Sequence, residues 1–530
     1  LPESTFWQHR LPHFGTGRFC YDFLPQAGHA HPGPSVHFFR GGGISQTRPL
    51  PQRAAALTLT AALLTGAAFP AFADTYYIEN GDIVISAGTE AGTNKVEQGG
   101  TLKSANDRGT IISSSNKDTA SDNTVTINAA NEKDKVEVTL KDLNIDAGST
   151  GSAAVSVTGS GDTTIELDGS NTLNSGSGHA GLEHNKTDTS GELTIQDNDK
   201  NGSLKAAGGQ YGAGIGGAGA ANDAQVKITG GKITATGGEY GAGIGGGFKG
   251  SGDVTISGGE IHANGGNYGA GIGGGDYSSG KVTISGGEIN ATGGYLGAGI
   301  GGGEKGSGDV TITGGEITSA TGGKYGAGIG GGKEGRGDVT IEGNTEVNAA
   351  GGTGGAGIGG GYGAKNNSNS TGNQITIRSN ENGSPTVNAV GGGTKKGIAD
   401  IGGAGIGTGS KSDANTAITL EGKVTIKATA GKGNVAIGTN GNEQVFTGLA
   451  GGTSITRKDS DKNDIPPLPG DNVPTPSGGD TAGGGSTDGG SAGGGSAGGD
   501  SAGGGSTGGD STGGDSADVS VQESVFPGLS

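Results

Sequence analysis

One six-residue phrase, Gly-Ala-Gly-Ile-Gly-Gly, recurs through the middle of this 530-residue chain and limits what the chain can fold into. A second phrase, Val-x-Ile, and a third, a lone Ile or Val after a charged residue, keep the same spacing. The isoleucine of the first phrase falls 28 or 29 residues after the previous one, at Ile215, Ile244, Ile272, Ile300, Ile329 and Ile358. Self-similarity with a period of about 20–50 residues is the signature of a solenoid.

Within each repeat the apolar residues alternate with polar ones, which is the period of a β-strand and not of a helix. In Val254-Thr255-Ile256, for example, Val and Ile point to one face and Thr to the other. Each repeat therefore predicts three short strands separated by glycine-rich corners. Because no such strand can bury its apolar face alone, we expect successive coils to stack, with identical residues in interior ladders. The sequence predicts an all-β, single-chain, right-handed parallel β-helix with about 28–29 residues per coil.

The composition agrees with an ordered repeat and excludes several classes of protein. The chain has 124 Gly and 15 Pro, a level typical of low complexity, but its glycines are periodic and interleaved with β-branched residues. A single Cys rules out a disulfide framework and a cysteine-based metal site. A net charge of −18 argues against a nucleic-acid partner, whose phosphates would repel the chain.

The composition also changes along the chain and divides it into four segments. We expect residues 1–52 to be a leader without a fold, and residues 53–73 to be a signal peptide, with a basic flank, a short apolar run and Ala71-Phe72-Ala73. Residues 74–455 form the predicted β-helix, and its start, Tyr76–Ile85, is the predicted end cap. The gap Asn185–Ser190 between strands is interpreted as a corner loop. Residues 456–530 form a disordered Pro/Gly/Ser/Asp-rich linker. The pattern indicates a secreted, extracellular protein with no membrane span in the mature chain. We expect a monomer, and one interpretation associates it with a bacterial cell surface.

A row of tyrosines precedes the glycine phrase in most coils and is the candidate binding site. Its members are Tyr211, Tyr240, Tyr268 and Tyr325, with Leu296 and Gly354 at the same position in two other coils. A row of aromatic rings offers apolar faces on which sugar rings can lie. The alternative is that the rings stack on one another and brace a glycine-rich corner.

A row of carboxylates precedes the third strand and is the candidate metal site. Its members are Glu260, Glu288, Glu316 and Glu346, and Lys232 takes the same position one coil earlier. Like charges opposite one another on adjacent strands destabilise a sheet. A bound Ca²⁺ would offset that repulsion, because calcium takes carboxylate and carbonyl oxygens. A solvated face with nearby lysines is the alternative.

Three other motifs are weaker indications of function. Gly241–Gly246 matches a dinucleotide-binding fingerprint, but a strand follows it in place of the helix that the fingerprint requires. Arg336-Gly337-Asp338 is an adhesion-type tripeptide that the repeat itself explains, since Ser251-Gly252-Asp253 takes the same place. One locally mixed group of acids and histidines is a weak catalytic candidate, at Asp162, Glu166, Asp168, His179, Glu183 and His184.

The glycine array, together with Asn171–Leu182, Leu193-Thr194-Ile195 and Gly202-Ser203-Leu204, resembles a known family over about residues 76–455. The chain is similar to the secreted clostridial-type carbohydrate-binding β-helix proteins, which have a polysaccharide-lyase-like fold. The resemblance implies binding of cellulose or acidic plant polysaccharide, bound Ca²⁺ and no established catalytic set. No binding residue transfers from that family to a position of this sequence.

The first functional interpretation is therefore an extracellular, non-catalytic β-helix that binds plant-type or acidic polysaccharide. The second is a polysaccharide lyase or glycoside hydrolase, because β-helices also support catalysis. The third is a structural or adhesive spacer at the cell surface, in which the solenoid supplies only reach. Retention on a polysaccharide and release of cleavage products distinguish the three.

Overall fold

The computed structural model describes residues 73–219, 223–366, 371–393 and 402–469, and these residues form a parallel β-helix. The chain passes in every repeat through three strands, each of which pairs in parallel with the equivalent strand of the next coil. We number the three resulting ladders in the order in which a coil visits them. The predicted all-β parallel β-helix is confirmed, with one short 3-10 helix, Ile78–Asn80, and no α-helix among the residues described.

The first ladder is made from the glycine phrase, and in the regular repeats its strands are only two residues long. Its parallel strands are Ile83–Ala87, Val125–Ala129, Val155–Gly159, Leu182–Lys186, Ile215–Gly216, Ile244–Gly245, Ile272–Gly273, Ile300–Gly301, Ile329–Gly330, Ile358–Gly359, Ile406–Gly407 and Ile437–Thr439. Three antiparallel strands join it near its two ends, Asn94–Gln98, Thr101–Asp107 and Asn442–Glu443.

The second and third ladders are built from the longer phrases. The strands of the second are Thr75–Tyr77, Ile111–Ser113, Lys135–Lys141, Asp162–Asp168, Leu193–Gln196, Asp223–Ile228, Gly252–Ile256, Gly280–Ile284, Gly308–Ile312, Gly337–Glu342, Asn373–Arg378 and Thr416–Glu421. The strands of the third are Asn144–Asp146, Ser170–Asn174, Ser203–Ala207, Lys232–Thr236, Glu260–Asn264, Glu288–Thr292, Glu316–Thr321, Glu346–Ala350, Thr386–Val390, Thr425–Thr429 and Ser454–Lys458. A final antiparallel strand, Asp464–Ile465, pairs with Ser454–Lys458.

The core lies inside the coil and follows from the alternation of apolar and polar residues. Ile244, Ile272 and Ile300 pair in register along the first ladder, and all three are fully buried. Val254 and Ile256 are buried on the second ladder, whereas Thr255 between them is half-buried. Identical side chains therefore stack from coil to coil, as the spacing of the sequence predicts.

Glycine is required where the first ladder meets the second. Gly245 has a φ of 130°, and a Cβ built on it would lie 2.0 Å from the carbonyl oxygen of Gly273 in the next coil. At Gly252, the first residue of a second-ladder strand, a Cβ would lie 2.1 Å from the same oxygen. No side chain fits at either position, so the start of the second ladder presents bare backbone.

One sequence interpretation is wrong in part. The gap Asn185–Ser190 was expected to be a corner loop, but Asn185 and Lys186 belong to the strand Leu182–Lys186. These two residues pair antiparallel with Ala224 and Asp223 of the second ladder. The strand therefore extends beyond its own coil and joins the first ladder to the second.

The segments predicted outside the solenoid lie almost entirely beyond the described residues. These are the leader at 1–52, the signal peptide at 53–73 apart from its last residue, and the linker at 456–530 apart from residues 456–469. The first three residues of the predicted linker belong to the strand Ser454–Lys458, because the backbone pairing of the third ladder includes them. The third ladder continues to Lys458 and is followed by the turn that leads to Asp464–Ile465. Within the described ranges, no helix has the length and apolar character needed to cross a bilayer.

Candidate functional site

Three of the four predicted binding tyrosines form a stack along one corner of the solenoid. The ring centroids of Tyr211 and Tyr240 are 5.2 Å apart with planes at 10°, and those of Tyr240 and Tyr268 are 4.9 Å apart with planes at 6°. Phe248 packs against the rings of both Tyr211 and Tyr240. The facing surfaces of these rings contact one another, so the stack offers solvent mainly ring edges and hydroxyl groups.

The fourth predicted residue, Tyr325, belongs to a separate aromatic group. Leu296, which is 8% exposed, takes the tyrosine position between Tyr268 and Tyr325. Tyr325 instead contacts Tyr295 edge-on, with centroids 5.8 Å apart, and Tyr362, with centroids 5.0 Å apart. We call the row Tyr211, Tyr240, Tyr268, Leu296 and Tyr325 the aromatic corner.

A second row runs beside the aromatic corner, in the turn between the first and second ladders. We call it the charged turn, and its members are Phe248, Asp276, Glu304, Lys333 and Tyr362. Backbone hydrogen bonds join the two rows: the N–H of Asp276 donates to the carbonyl of Tyr240, at 2.8 Å, and that of Glu304 to Tyr268, at 2.8 Å. The aromatic corner and the charged turn therefore form one continuous surface.

Two tyrosines that the sequence analysis missed are the exposed rings of this surface. Tyr277 follows Asp276 with a φ of 60° and is 53% exposed, and Tyr295 precedes Leu296 and is 50% exposed. The Nζ of Lys305 lies 4.4 Å from the Tyr277 ring centroid and donates to its hydroxyl at 3.2 Å. Likewise, the Nζ of Lys324 lies 5.2 Å from the Tyr295 ring centroid and donates to its hydroxyl at 2.9 Å. Neither tyrosine has a tyrosine at the same position of another repeat, so the periodicity of the sequence did not indicate them.

The charged turn contains a buried acid with one unpaired carboxylate oxygen. Asp276 is 2% exposed, and its Oδ1 makes no hydrogen bond in the part of the chain that the structure describes. Glu304, in the next coil, is 7% exposed and pairs with Lys333, Nζ to Oε1 at 2.8 Å. Burial, reinforced by the nearby charge of Glu304, raises the pKa of Asp276 to about 6.

The predicted acidic row is in register along the third ladder. Glu260 pairs with Glu288, Glu288 with Glu316, and Glu316 with Glu346. A hydrogen bond from Lys232, at 2.6 Å, and then one with His262 lower the pKa of Glu260. No three carboxylates of this row converge on one point among the described residues, so the calcium site there stays a prediction.

The structure disperses the mixed group of acids and histidines. His179 pairs with Glu183, Nδ1 to Oε2 at 2.8 Å, and His184 is buried against backbone carbonyls. Asp168 pairs with Lys141, whereas both carboxylate oxygens of Glu166 accept hydrogen bonds from Asn198. Glu166, Asp197 and Asp199 bring one carboxylate oxygen each within 4.8 Å of the others, on an open surface. The group therefore does not form one catalytic constellation.

A groove that no sequence pattern predicts opens where the first ladder meets the second. Its volume is about 300 Å³, at the small end of the range of ligand pockets. Its charged lining residues are Lys186, Asp223, Asp253, Lys281 and Asp309. The groove depends on the strand extension at Asn185 and Lys186, which the sequence analysis interpreted as a loop.

Comparison with known proteins agrees with this geometry. Five segments match the family model described as Beta helix repeat, at residues 226–248, 254–276, 282–304, 310–333 and 339–362. Each match runs from a second-ladder strand to the corner or turn of the following coil. No curated protein and no solved structure matches the chain. The ladders and the matched segments together define a parallel β-helix protein built from repeats.

Proposed function

We propose that this protein is an extracellular β-helix that binds polysaccharide without cleaving it, and that it does so through the exposed rings of Tyr277 and Tyr295, which lie next to the charged turn and the aromatic corner. The observation that carries the proposal is the exposure of Tyr277 and Tyr295, each about half accessible and each with a lysine ammonium over one face of its ring. The signal-peptide pattern and the glycine- and serine-rich segment after the solenoid support the extracellular assignment.

Exposed tyrosines suit a sugar ligand for two physical reasons. The face of an aromatic ring carries partial negative charge, so it attracts the weakly positive C–H groups on one face of a sugar ring. The phenol hydroxyl and the neighbouring ammonium supply hydrogen bonds for the sugar hydroxyls. At Tyr277, the Nζ of Lys305 lies near the ring and Glu304 lies one coil away. Apolar contact and polar contacts therefore come from the same small surface.

The stacked tyrosines have a different role in this proposal. Tyr240 lies between two other rings and against Phe248, so its faces are occupied by protein. Such stacking stabilises the glycine-rich corner, which was the alternative interpretation of the row. Tyr211 ends the stack and is 36% exposed, which makes it the member of the predicted row most able to contact a ligand.

Affinity electrophoresis tests the proposal. The full chain is run through gels that contain hydroxyethyl cellulose, galactomannan or polygalacturonate, together with Tyr277→Ala and Tyr295→Ala. Tyr268→Leu is the matched control, because the next coil carries Leu296 at the same position. We expect retardation of the wild type in at least one gel, loss of most of it in the two alanine variants, and little change in the control. Wild-type mobility unchanged by all three polysaccharides would refute the proposal.

A further inference from the structure

The groove between the first and second ladders has a floor without side chains and a wall made by a strand that overruns its coil. Gly252 and Gly280 line the floor with backbone, and a Cβ on either would point inward, 2.1 Å from a first-ladder carbonyl oxygen, and not into the groove. The wall is the end of the strand Leu182–Lys186, held by its antiparallel pairing with Asp223–Ile228. This strand and the outward-facing side chains of the second ladder border a cavity of about 300 Å³.

The charged groups of the groove alternate in sign. Asp253, Lys281 and Asp309 are register partners on three successive strands of the second ladder. The Oδ2 of Asp253 lies 2.9 Å from the Nζ of Lys186 and 3.7 Å from that of Lys281. With Asp223 at the edge, three carboxylates face two ammonium groups, so the groove has a formal charge of −1.

We propose that this groove binds a neutral sugar unit of a polysaccharide through its hydroxyl groups. The inference rests on the proposed function and names the ligand class, a neutral polysaccharide in place of an acidic one. Lysine ammonium groups donate hydrogen bonds and aspartate carboxylates accept them, so alternating pairs match the donor and acceptor character of sugar hydroxyls. Ser251 and Ser279 add hydroxyl groups of their own.

The same charges disfavour an acidic chain. A uronate carboxylate that approached Lys281 would come within about one strand spacing, ~4.8 Å, of the positions of Asp253 and Asp309. Like charges at that separation repel, and the net charge of the whole chain, −18, adds to the repulsion. A neutral sugar avoids this repulsion, and its hydroxyls both donate to carboxylates and accept from ammonium groups.

The groove also lies next to an exposed aromatic ring. Ser279 lines the groove and is two residues after Tyr277, whose ring is half exposed on the adjoining turn. A polysaccharide chain seated in the groove can therefore continue onto the charged turn. The groove supplies selection by charge, and the exposed rings supply apolar contact.

The test compares neutral and acidic probes on the full chain in 0.15 M NaCl. Dissociation constants for hydroxyethyl cellulose, galactomannan and polygalacturonate are measured for the wild type, Asp253→Asn and Lys281→Gln. Lys227→Gln is the matched control, an outward-facing lysine of the second ladder that pairs with Glu192 outside the groove. We expect binding of a neutral probe at least tenfold tighter than that of polygalacturonate. We also expect a loss of tenfold or more in both groove variants, with no change in the control.

Two results overturn the inference, and they are distinct from failure of the proposed function. Tighter binding of polygalacturonate than of either neutral probe contradicts the ligand class. Wild-type affinity in both groove variants, while Tyr295→Ala loses affinity, contradicts the groove but leaves polysaccharide binding intact. No binding of any probe by the wild type contradicts both proposals. Thermal melts of the two groove variants check that each is folded.

Discussion

Tyr240 and Tyr268 lie face to face on successive coils, with ring centroids 4.9 Å apart and planes 6° apart. This distance is close to the spacing of neighbouring strands, ~4.8 Å, so the coil repeat itself sets the ring separation. The consequence is functional as well as structural. Rings that cover one another stabilise the corner, whereas Tyr277 and Tyr295, each about half exposed, stand outside the stack.

Substitution of Tyr240, the central ring of the stack, distinguishes an effect on stability from an effect on polysaccharide binding. Tyr240→Ala removes contacts with Tyr211, Tyr268 and Phe248, and aromatic pairs contribute about 0.5–1.5 kcal/mol each beyond the area they bury. We expect the free energy of unfolding to fall by about 3 kcal/mol, from three such pairs at ~1 kcal/mol each. Binding to the polysaccharide that retards the wild type should change less than it does in Tyr295→Ala. Denaturant titration and affinity electrophoresis measure the two effects, and an undiminished stability would contradict the bracing role.

The interior ladder predicts a severe effect of a buried charge. Ile272→Asp places a carboxylate between Ile244 and Ile300, where all three positions are fully buried, and an uncompensated buried charge costs several kcal/mol, roughly 3–5. Ile272→Val is the control and should cost only about 1 kcal/mol. Because coils depend mainly on their neighbours, the damage should spread along the stack. A melting temperature of Ile272→Asp within a degree or two of the wild type would refute the inward orientation.

Asp276 makes stability depend on pH. Its folded-state pKa of about 6 lies above the ordinary value of 3.8, so the folded protein holds this proton more tightly than the unfolded chain does. Its contribution is therefore most favourable below pH 4, and it is lost as the pH rises through 6. Relative to the wild type, Asp276→Asn should gain on the order of 2 kcal/mol of stability between pH 4 and pH 7.

The measurement for Asp276 is the difference in unfolding free energy between variant and wild type at pH 4 and at pH 7. A constant offset caused by the asparagine amide cancels in this comparison. A difference that is the same at both pH values would show that Asp276 does not carry the effect.

The acidic row on the third ladder predicts a specific response to calcium. Lys232 pairs with Glu260, and the carboxylates of Glu288, Glu316 and Glu346 follow on neighbouring strands. If Ca²⁺ binds there, millimolar CaCl₂ should raise the melting temperature by mass action, and Glu288→Gln should weaken the rise. If the row is only a solvated face, NaCl at the same ionic strength should act equally well. Equal shifts of the melting temperature in the two salts would therefore contradict a calcium site in this row.

The fold could be predicted from the sequence because its determinants are local and repeated. Alternating residues set the faces of each strand, and the fixed period stacks Ile244 on Ile272, so one repeat contains the information for the next. The row of tyrosines could be predicted for the same reason. Its orientation could not, because whether a ring faces its neighbour or solvent depends on the packing of Phe248 and Leu296 beside it.

The features that the sequence did not reveal are those that break the repeat. Lys186 lies in an irregular coil, and its pairing with Asp223 depends on a contact between two ladders, not on any local pattern. Asp276 takes a position where other coils carry Phe248 or Lys333, and its burial comes from the neighbouring coils. Tyr277 and Tyr295 likewise have no counterpart in other repeats. The exposed rings, the buried acid and the lysine of the overrunning strand are therefore departures from the period of the solenoid.

Retention and product analysis together test whether the chain binds polysaccharide without cleaving it. The full chain is incubated with insoluble cellulose, galactomannan and polygalacturonate, and both the bound protein and the newly formed reducing or unsaturated ends are measured. We predict retention on a neutral polysaccharide with no new ends over the time of the assay. New ends that scale with protein concentration would show that the protein is an enzyme. Absence of retention on every polysaccharide would favour a structural spacer. Either result would contradict non-catalytic polysaccharide binding.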